Sequence, residues 1–220
     1  MQYLVQPVTG NSLSFPGLDP NKKTILYVPT GKPNGSWDFL AEKLVTCVSS
    51  EFNLILRPHP SQSVTARFSD SLGFYNLRRL CKKRGKAVLD LTSLKLSSLF
   101  SVSDLVISDG TSTAEESLYY DLPQVFVETD RFSRAHVKNM MLEKGADEKY
   151  ADKLVGLYDC GSSLTPDSAN IEQLAGDSID DAKKYASHRD DYFSWVFGNR
   201  GLDNQHNFIN HLKSITKPQP

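Results

Sequence analysis

Two short stretches of this 220-residue chain carry residue types suited to phosphate chemistry, and a third can assist them. The first is Arg57-Pro58-His59-Pro60. Proline on both sides of His59 restricts the backbone, so the imidazole is aimed rather than loose. Arg57 adds a permanent cation. A fixed histidine beside an arginine suits a phosphate or a leaving group, or a general base working near neutral pH. The plainer alternative is a rigid turn whose histidine packs on a neighbour. The second stretch is Ser108-Asp109-Gly110-Thr111-Ser112-Thr113, followed by Glu115 and Glu116. Small hydroxyls and free backbone N–H groups at a helix start can hold a phosphate. The plainer alternative is a capping box pairing Ser112 or Thr113 with Glu115 or Glu116. The third is Thr30-Gly31-Lys32, where Gly31 permits close backbone approach and Lys32 can reach a diphosphate. Asp109 is either a turn residue or an oriented catalytic partner for His59. A glutamate one helical turn beyond the phosphate turn can accept from both ribose hydroxyls. Asp130 and Arg131 can line the same cleft.

These residues need elements to position them. Apolar, β-branched runs predict strands at 24–29, 52–57, 87–90, 104–107 and 123–127, with a short sixth at 154–158. Helical spacing predicts helices at 37–50, 71–84, 94–102, 113–120 and 133–144. It continues from Ile171, through 182–187, and again over 204–214. Alternating strands and helices with near-continuous apolar strands imply an α/β fold: a Rossmann-like, doubly wound parallel sheet covered on both faces. Ligands in such sheets bind at the carboxyl ends of the strands. All three motif loops follow strands directly, which predicts one shared cleft. The expected organisation is an irregular lead-in over 1–23, a nucleotide-binding domain over 24–170, and C-terminal helices packed on it over 171–220.

Composition narrows the classes. A formal net charge of −1 gives no global case for nucleic acid. The local run Arg78-Arg79, Lys82-Lys83-Arg84 and Lys86 reads as a solvated helix face, or as a patch for anionic lipid or a polyanion. Cys47, Cys81 and Cys160 have no paired or metal-ligand spacing, so free thiols in a reducing compartment are expected. There is no GxGxxG, no GxxxxGK[ST], no HExxH and no GxSxG. No metal or separate cofactor is expected. With neither a signal-peptide pattern nor a membrane-length apolar run, the expected location is cytoplasmic, with peripheral association at the inner face of the membrane as an option.

TILYVPT, LILRPHP, DLVISDGTST and LPQVFVETD, taken in order, resemble the C-terminal half of the CDP-glycerol glycerophosphotransferases, the teichoic-acid and capsule polymerases and primases. The closing segment HRDDYFSWVFGNRGLDNQHNFINHL is similar to their final helices, and the resemblance covers about residues 23–212. It implies one half of a GT-B architecture, the half that binds the nucleotide donor. The implied reaction moves glycerol phosphate or a related polyol phosphate from a CDP carrier to an acceptor hydroxyl and releases CMP. By position His59 matches the family histidine, and Ser108, Asp109, Thr111 and Ser112 match the donor-phosphate loop. Two departures stand out. Gly110 replaces the family's aromatic in that loop, and the acceptor-binding half with its own histidine is absent from these residues. The run 109–116 also resembles the DSGGxQEE loop of UDP-N-acetylglucosamine 2-epimerases, where the second glutamate, Glu116 here, holds the ribose. A nucleotide-sugar transferase or epimerase half, and a non-catalytic scaffold domain, are therefore the alternatives.

Overall fold

Six short strands lie side by side in the order β3-β2-β1-β4-β5-β6, every pair parallel. They are β1 (Thr24–Val28), β2 (Asn53–Leu56), β3 (Ala87–Leu89), β4 (Leu105–Ser108), β5 (Gln124–Val127) and β6 (Ser162–Leu164). The computed structural model describes residues 15–63, 68–110 and 112–198, with backbone alone at 68–70. The helices are α1 (Trp37–Cys47), α2 (Pro60–Ser63), α3 (Phe68–Arg84), α4 (Leu96–Phe100), α5 (Ser112–Ser117), α6 (Arg134–Glu143), α7 (Glu148–Val155), α8 (Ile171–Asp180) and α9 (Ala186–Phe197). Short 3₁₀ turns occupy Leu118–Tyr120 and Gly156–Cys160.

The strand sequences explain the two-sided cover. Alternate residues of β1 point to opposite faces. Ile25 and Tyr27 join a core with Leu40 and Leu44 of α1, Phe74 and Leu77 of α3, and Ile171 and Ala175 of α8. Leu26 and Val28 join Leu99 and Phe100 of α4 on the other face. Further along that second face, Phe126 packs with Ala114, Tyr158, Tyr192 and Phe193. The doubly wound α/β expectation is therefore met. The C-terminal helices do not form a separate layer: α8 closes one face and α9 the other.

The chain winds from β1 outward to β3, then returns to β4 beside β1 and winds the opposite way. The reversal lies between β1 and β4, which is where ligands bind in open parallel sheets. Because every strand is parallel, the loops after Val28, Leu56 and Ser108 leave from one edge.

Two expectations need correction. The sixth strand is not at 154–158. Leu154, Val155, Leu157 and Tyr158 belong to α7 and the 3₁₀ turn, facing the apolar cluster beneath α9. The real edge strand is polar at Ser162 and Ser163, so it carries no apolar run. Residues 182–185 form turns, and α9 begins only at Ala186. In the lead-in, Phe15 and Leu18 pack on the α4 face, and Asn53 exchanges hydrogen bonds with Asp19. The expected helix at 204–214 and residues 1–14 of the lead-in lie outside the described residues.

At the edge opposite the motif loops, Arg84 donates to the carbonyls of Val48, Ser49, Phe52, Gly85 and Lys86. It thus ties together the end of α1, the entry to β2 and the entry to β3. Cys47, Cys81 and Cys160 are free thiols. Burial pushes the Cys81 thiol up to about 11 and that of Cys160 to about 12, so both are inert packing residues.

Candidate functional site

Asp109 directly follows β4 and is only 1% exposed. Its Oδ2 accepts from the Thr30 amide at 2.7 Å and the Ser36 amide at 3.1 Å. Its Oδ1 accepts a short hydrogen bond from Ser36 Oγ. Since the Ser36 proton is used there, Tyr27 Oη is the donor across its 2.7 Å contact to Ser36 Oγ. The carboxylate therefore closes the loop after β1 onto the end of β4. Burial raises the Asp109 carboxyl above its ordinary value, opposed by the bonds from Ser36 and Thr30. Of the two roles expected for Asp109, the hydrogen bonds favour the turn: its carboxylate is occupied by the β1 loop, which it positions.

His59 has a different partner. The Ser61 amide donates to His59 Nδ1 at 3.2 Å, and Ser61 Oγ lies 2.7 Å from the same nitrogen. An N–H donated to Nδ1 requires its lone pair, so the neutral ring carries its proton on Nε2. His59 thus presents a donor, which suits a phosphate oxygen better than it suits proton abstraction. The His59 ring also sits against the β1 loop. A Cβ on Gly31 would lie 2.9 Å from Nδ1, closer than such contacts allow. Gly31 is therefore what lets the loops after β1 and β2 meet.

The remaining candidates divide. Ser108 is buried, and its Oγ lies 3.5 Å from the Gly110 amide. Gly110 has φ +70°, and a Cβ there would lie 2.7 Å from Cζ of Tyr158. Tyr158 packs on Phe126, with the Arg134 guanidinium 5.9 Å over its ring. Tyr158 reaches the loop from the 3₁₀ turn before β6. Ser112 is exposed at the start of α5, with Thr113 and Glu116 half-buried behind it. Glu115 accepts from Tyr192 Oη at 3.0 Å. Glu116 has no hydrogen bond among the described residues, and burial, then the neighbouring Glu115, raise its carboxyl. Lys32 makes an exposed 3.0 Å ion pair with Asp38, a contact worth under about 1 kcal/mol. Thr111 lies outside the described residues.

Arg57 is not a spare cation. Its Nη1 meets Asp90 at 2.6 Å and its Nη2 donates to the Leu94 carbonyl at 3.2 Å. Asp90, 2% exposed, also accepts from the Thr92 amide and hydroxyl. The arginine therefore braces the loops after β2 and β3, and its neutralised charge leaves His59 as the polar group of that motif directed to the β1 loop. Ser36, Asp90 and Tyr158 were missed as site residues. Only Ser36 had a signal, a hydroxyl just before a helical run, and it serves Asp109 instead of capping α1.

Asp109→Asn tests the positioning role. An amide oxygen at the Oδ2 position keeps both backbone bonds, and the amide nitrogen can donate to Ser36 Oγ. The variant is expected to fold with stability within about 1 kcal/mol of wild type at neutral pH. Because the native carboxyl titrates above its ordinary value of 3.8, the folded state binds the extra proton. Stability of the wild type relative to the variant should fall as pH rises from 3.8 through the raised value, then level off. Urea melts across that range measure it, and a difference growing with pH would show that the carboxylate is stabilised by its surroundings.

The class of fold follows from the sheet: a six-stranded, all-parallel α/β layer of the Rossmann type, as in one half of GT-B glycosyltransferases. No family model and no curated protein matches the sequence. Solved structures do match. The calicheamicin glycosyltransferase CalG4 aligns over 94% of this chain and 47% of its own, with a TM-score of 0.55 and 13% identity. The glycotransferase of kitacinnamycin aligns over 94% and 46%, with 0.54 and 11%. The wall teichoic acid polymerase TagF, in a crystal soaked with CDPG, aligns over 91% and 44%, with 0.50 and 17%. At these identities the likeness is one of fold, and the chain spans less than half the length of each neighbour.

Proposed function

We propose that this chain is the donor-nucleotide-binding half of a transferase that moves glycerol phosphate, or a related polyol phosphate, from a CDP carrier to an acceptor hydroxyl during cell-surface polymer synthesis. The observation that carries the reading is the meeting of three strand-end loops at the sheet's reversal point. Gly31 abuts His59, and Asp109 ties the β1 loop to β4. The TagF likeness supports it at the level of fold. In the reaction, the acceptor oxygen bonds to the distal phosphorus of the donor. The bond from that phosphorus to the bridging oxygen breaks, and CMP leaves with the electron pair. The acceptor proton passes to a base outside these residues. His59 Nε2–H donates to a donor phosphate oxygen, the hydroxyls of Thr111, Ser112 and Thr113 and the Gly110 turn hold the phosphates, and Lys32 adds charge. Glu116 accepts from the ribose hydroxyls. Positioning and charge neutralisation dominate such phosphoryl transfer.

Calorimetric titration with CMP, CDP, UDP and CDP-glycerol tests this, wild type beside Ser112→Ala and His59→Ala. Preference for cytidine nucleotides, with affinity reduced about tenfold by either substitution, is expected; one charge-assisted hydrogen bond is worth about that much. Preference for UDP would favour a nucleotide-sugar transferase, the second reading, which the CalG4 fold likeness supports. Binding unchanged by both substitutions would remove these loops from the site.

A further inference from the structure

The basic run of α3 does not behave as one solvated face. Arg84 is consumed by backbone carbonyls, and Lys86 pairs with Asp19 at 3.3 Å. Arg78, Arg79, Lys82 and Lys83 remain, all exposed and with no ion pair to another described residue. On the same helix Leu72 is 52% exposed and Tyr75 62%. Positions 72, 75, 76, 79, 82 and 83 recur at helical spacing, so they share one outward stripe. The stripe is apolar at its start and basic at its end. A shallow groove beside it is lined by Tyr75, Arg79, Lys82 and Lys83 of α3 and by Glu42 of α1. One turn before Glu42, Phe39 adds another exposed ring, at 37%.

We infer that this α1–α3 face docks on an anionic phospholipid bilayer. Opposite charge favours the surface of such a membrane, and long basic side chains can rest their stems on the interface while their heads meet phosphate. Leu72, Tyr75 and Phe39 supply the apolar part that enters the headgroup boundary. A purely polyanionic partner would need the four cations and have no use for the exposed Leu72 and Tyr75. No helix among the described residues is long and apolar enough to cross a membrane, so the mode is peripheral. The face belongs to the helix layer on one side of the sheet, and the motif loops leave the sheet's edge.

Vesicle co-sedimentation at low salt tests the inference. The protein is expected to pellet with mixed phosphatidylcholine–phosphatidylglycerol vesicles and not with phosphatidylcholine alone. Arg79→Gln/Lys83→Gln should lower partitioning about 25-fold, at roughly fivefold per basic residue. Leu72→Ser/Tyr75→Ser, which leaves every charge in place, should lower it as well. Circular dichroism confirms that these surface variants fold, and nucleotide titration of the same variants should be unchanged, which separates this inference from the nucleotide reading. Loss by the charge variant but not by Leu72→Ser/Tyr75→Ser would overturn the bilayer in favour of a soluble polyanion. No pelleting of the wild type, or a dimer in sedimentation that Tyr75→Ser dissolves, would overturn it as well.

Discussion

Gly110→Ala is expected to lower stability by roughly 2–5 kcal/mol and to remove most of the nucleotide affinity with it. Two penalties add. The backbone at Gly110 is left-handed, φ +70°, where a Cβ costs about 1–2 kcal/mol. The same Cβ would sit 2.7 Å from the Tyr158 ring, which is buried against Phe126 and cannot swing away freely. Relief of the clash must then come from the turn itself, which displaces Ser108, Asp109 and Ser112 from the edge where a phosphate would lie. Urea melts and nucleotide titration of the variant measure both effects. The double variant Gly110→Ala/Tyr158→Ala separates them. Removing the ring should return the steric part, a coupling of about 1–3 kcal/mol, and leave the backbone part. A shift below about 0.5 kcal/mol for Gly110→Ala would mean that neither constraint operates.

Asp90→Ala should lower stability by about 3 kcal/mol, because it strands Arg57 where only 14% of that side chain meets solvent. It also removes the acceptor for the Thr92 amide and hydroxyl. Replacing both members, Arg57→Leu/Asp90→Leu, is expected to lose much less, since matched apolar residues often substitute well for a buried pair. The comparison also settles the role of Arg57. If the arginine braces the loop ahead of His59, the double variant keeps nucleotide binding within a few-fold. If the double variant binds nucleotide a hundredfold more weakly at intact stability, Arg57 touches the ligand and the bracing role is wrong.

The sheet was legible because its central strands are almost wholly apolar: TILYV, NLIL and LVIS have few ways to be satisfied except between two helical layers. The edge strand at Ser162–Leu164 was not, because its pairing rests on backbone bonds to β5 and not on its side chains. The candidate loops were legible for a related reason. A motif directly after a strand must lie at that strand's carboxyl end, whatever the rest of the chain does. What could not be read were the partners. Asp109 meets Ser36 across 73 residues, Arg57 meets Asp90 across 33, and Tyr158 reaches the Asp109 carbonyl across 49. The first two pairs are made by neighbouring strands in the sheet and the third by a turn that reaches back past β5, and sequence spacing holds no trace of either adjacency. Asp109 could therefore be read either as a turn residue or as a partner for His59, and only the folded chain shows the β1 loop as its neighbour.

The five carbonyls gathered by Arg84 have a consequence for how the molecule opens. One guanidinium joins two chain reversals at the sheet's amino edge, from α1 to β2 and from α3 to β3, so the tail of α1, the tail of α3 and the starts of β2 and β3 can only let go together. Amide hydrogens there should exchange as a single late cooperative unit. The rim opposite the candidate site thus hangs on one side chain, and its opening is all-or-none.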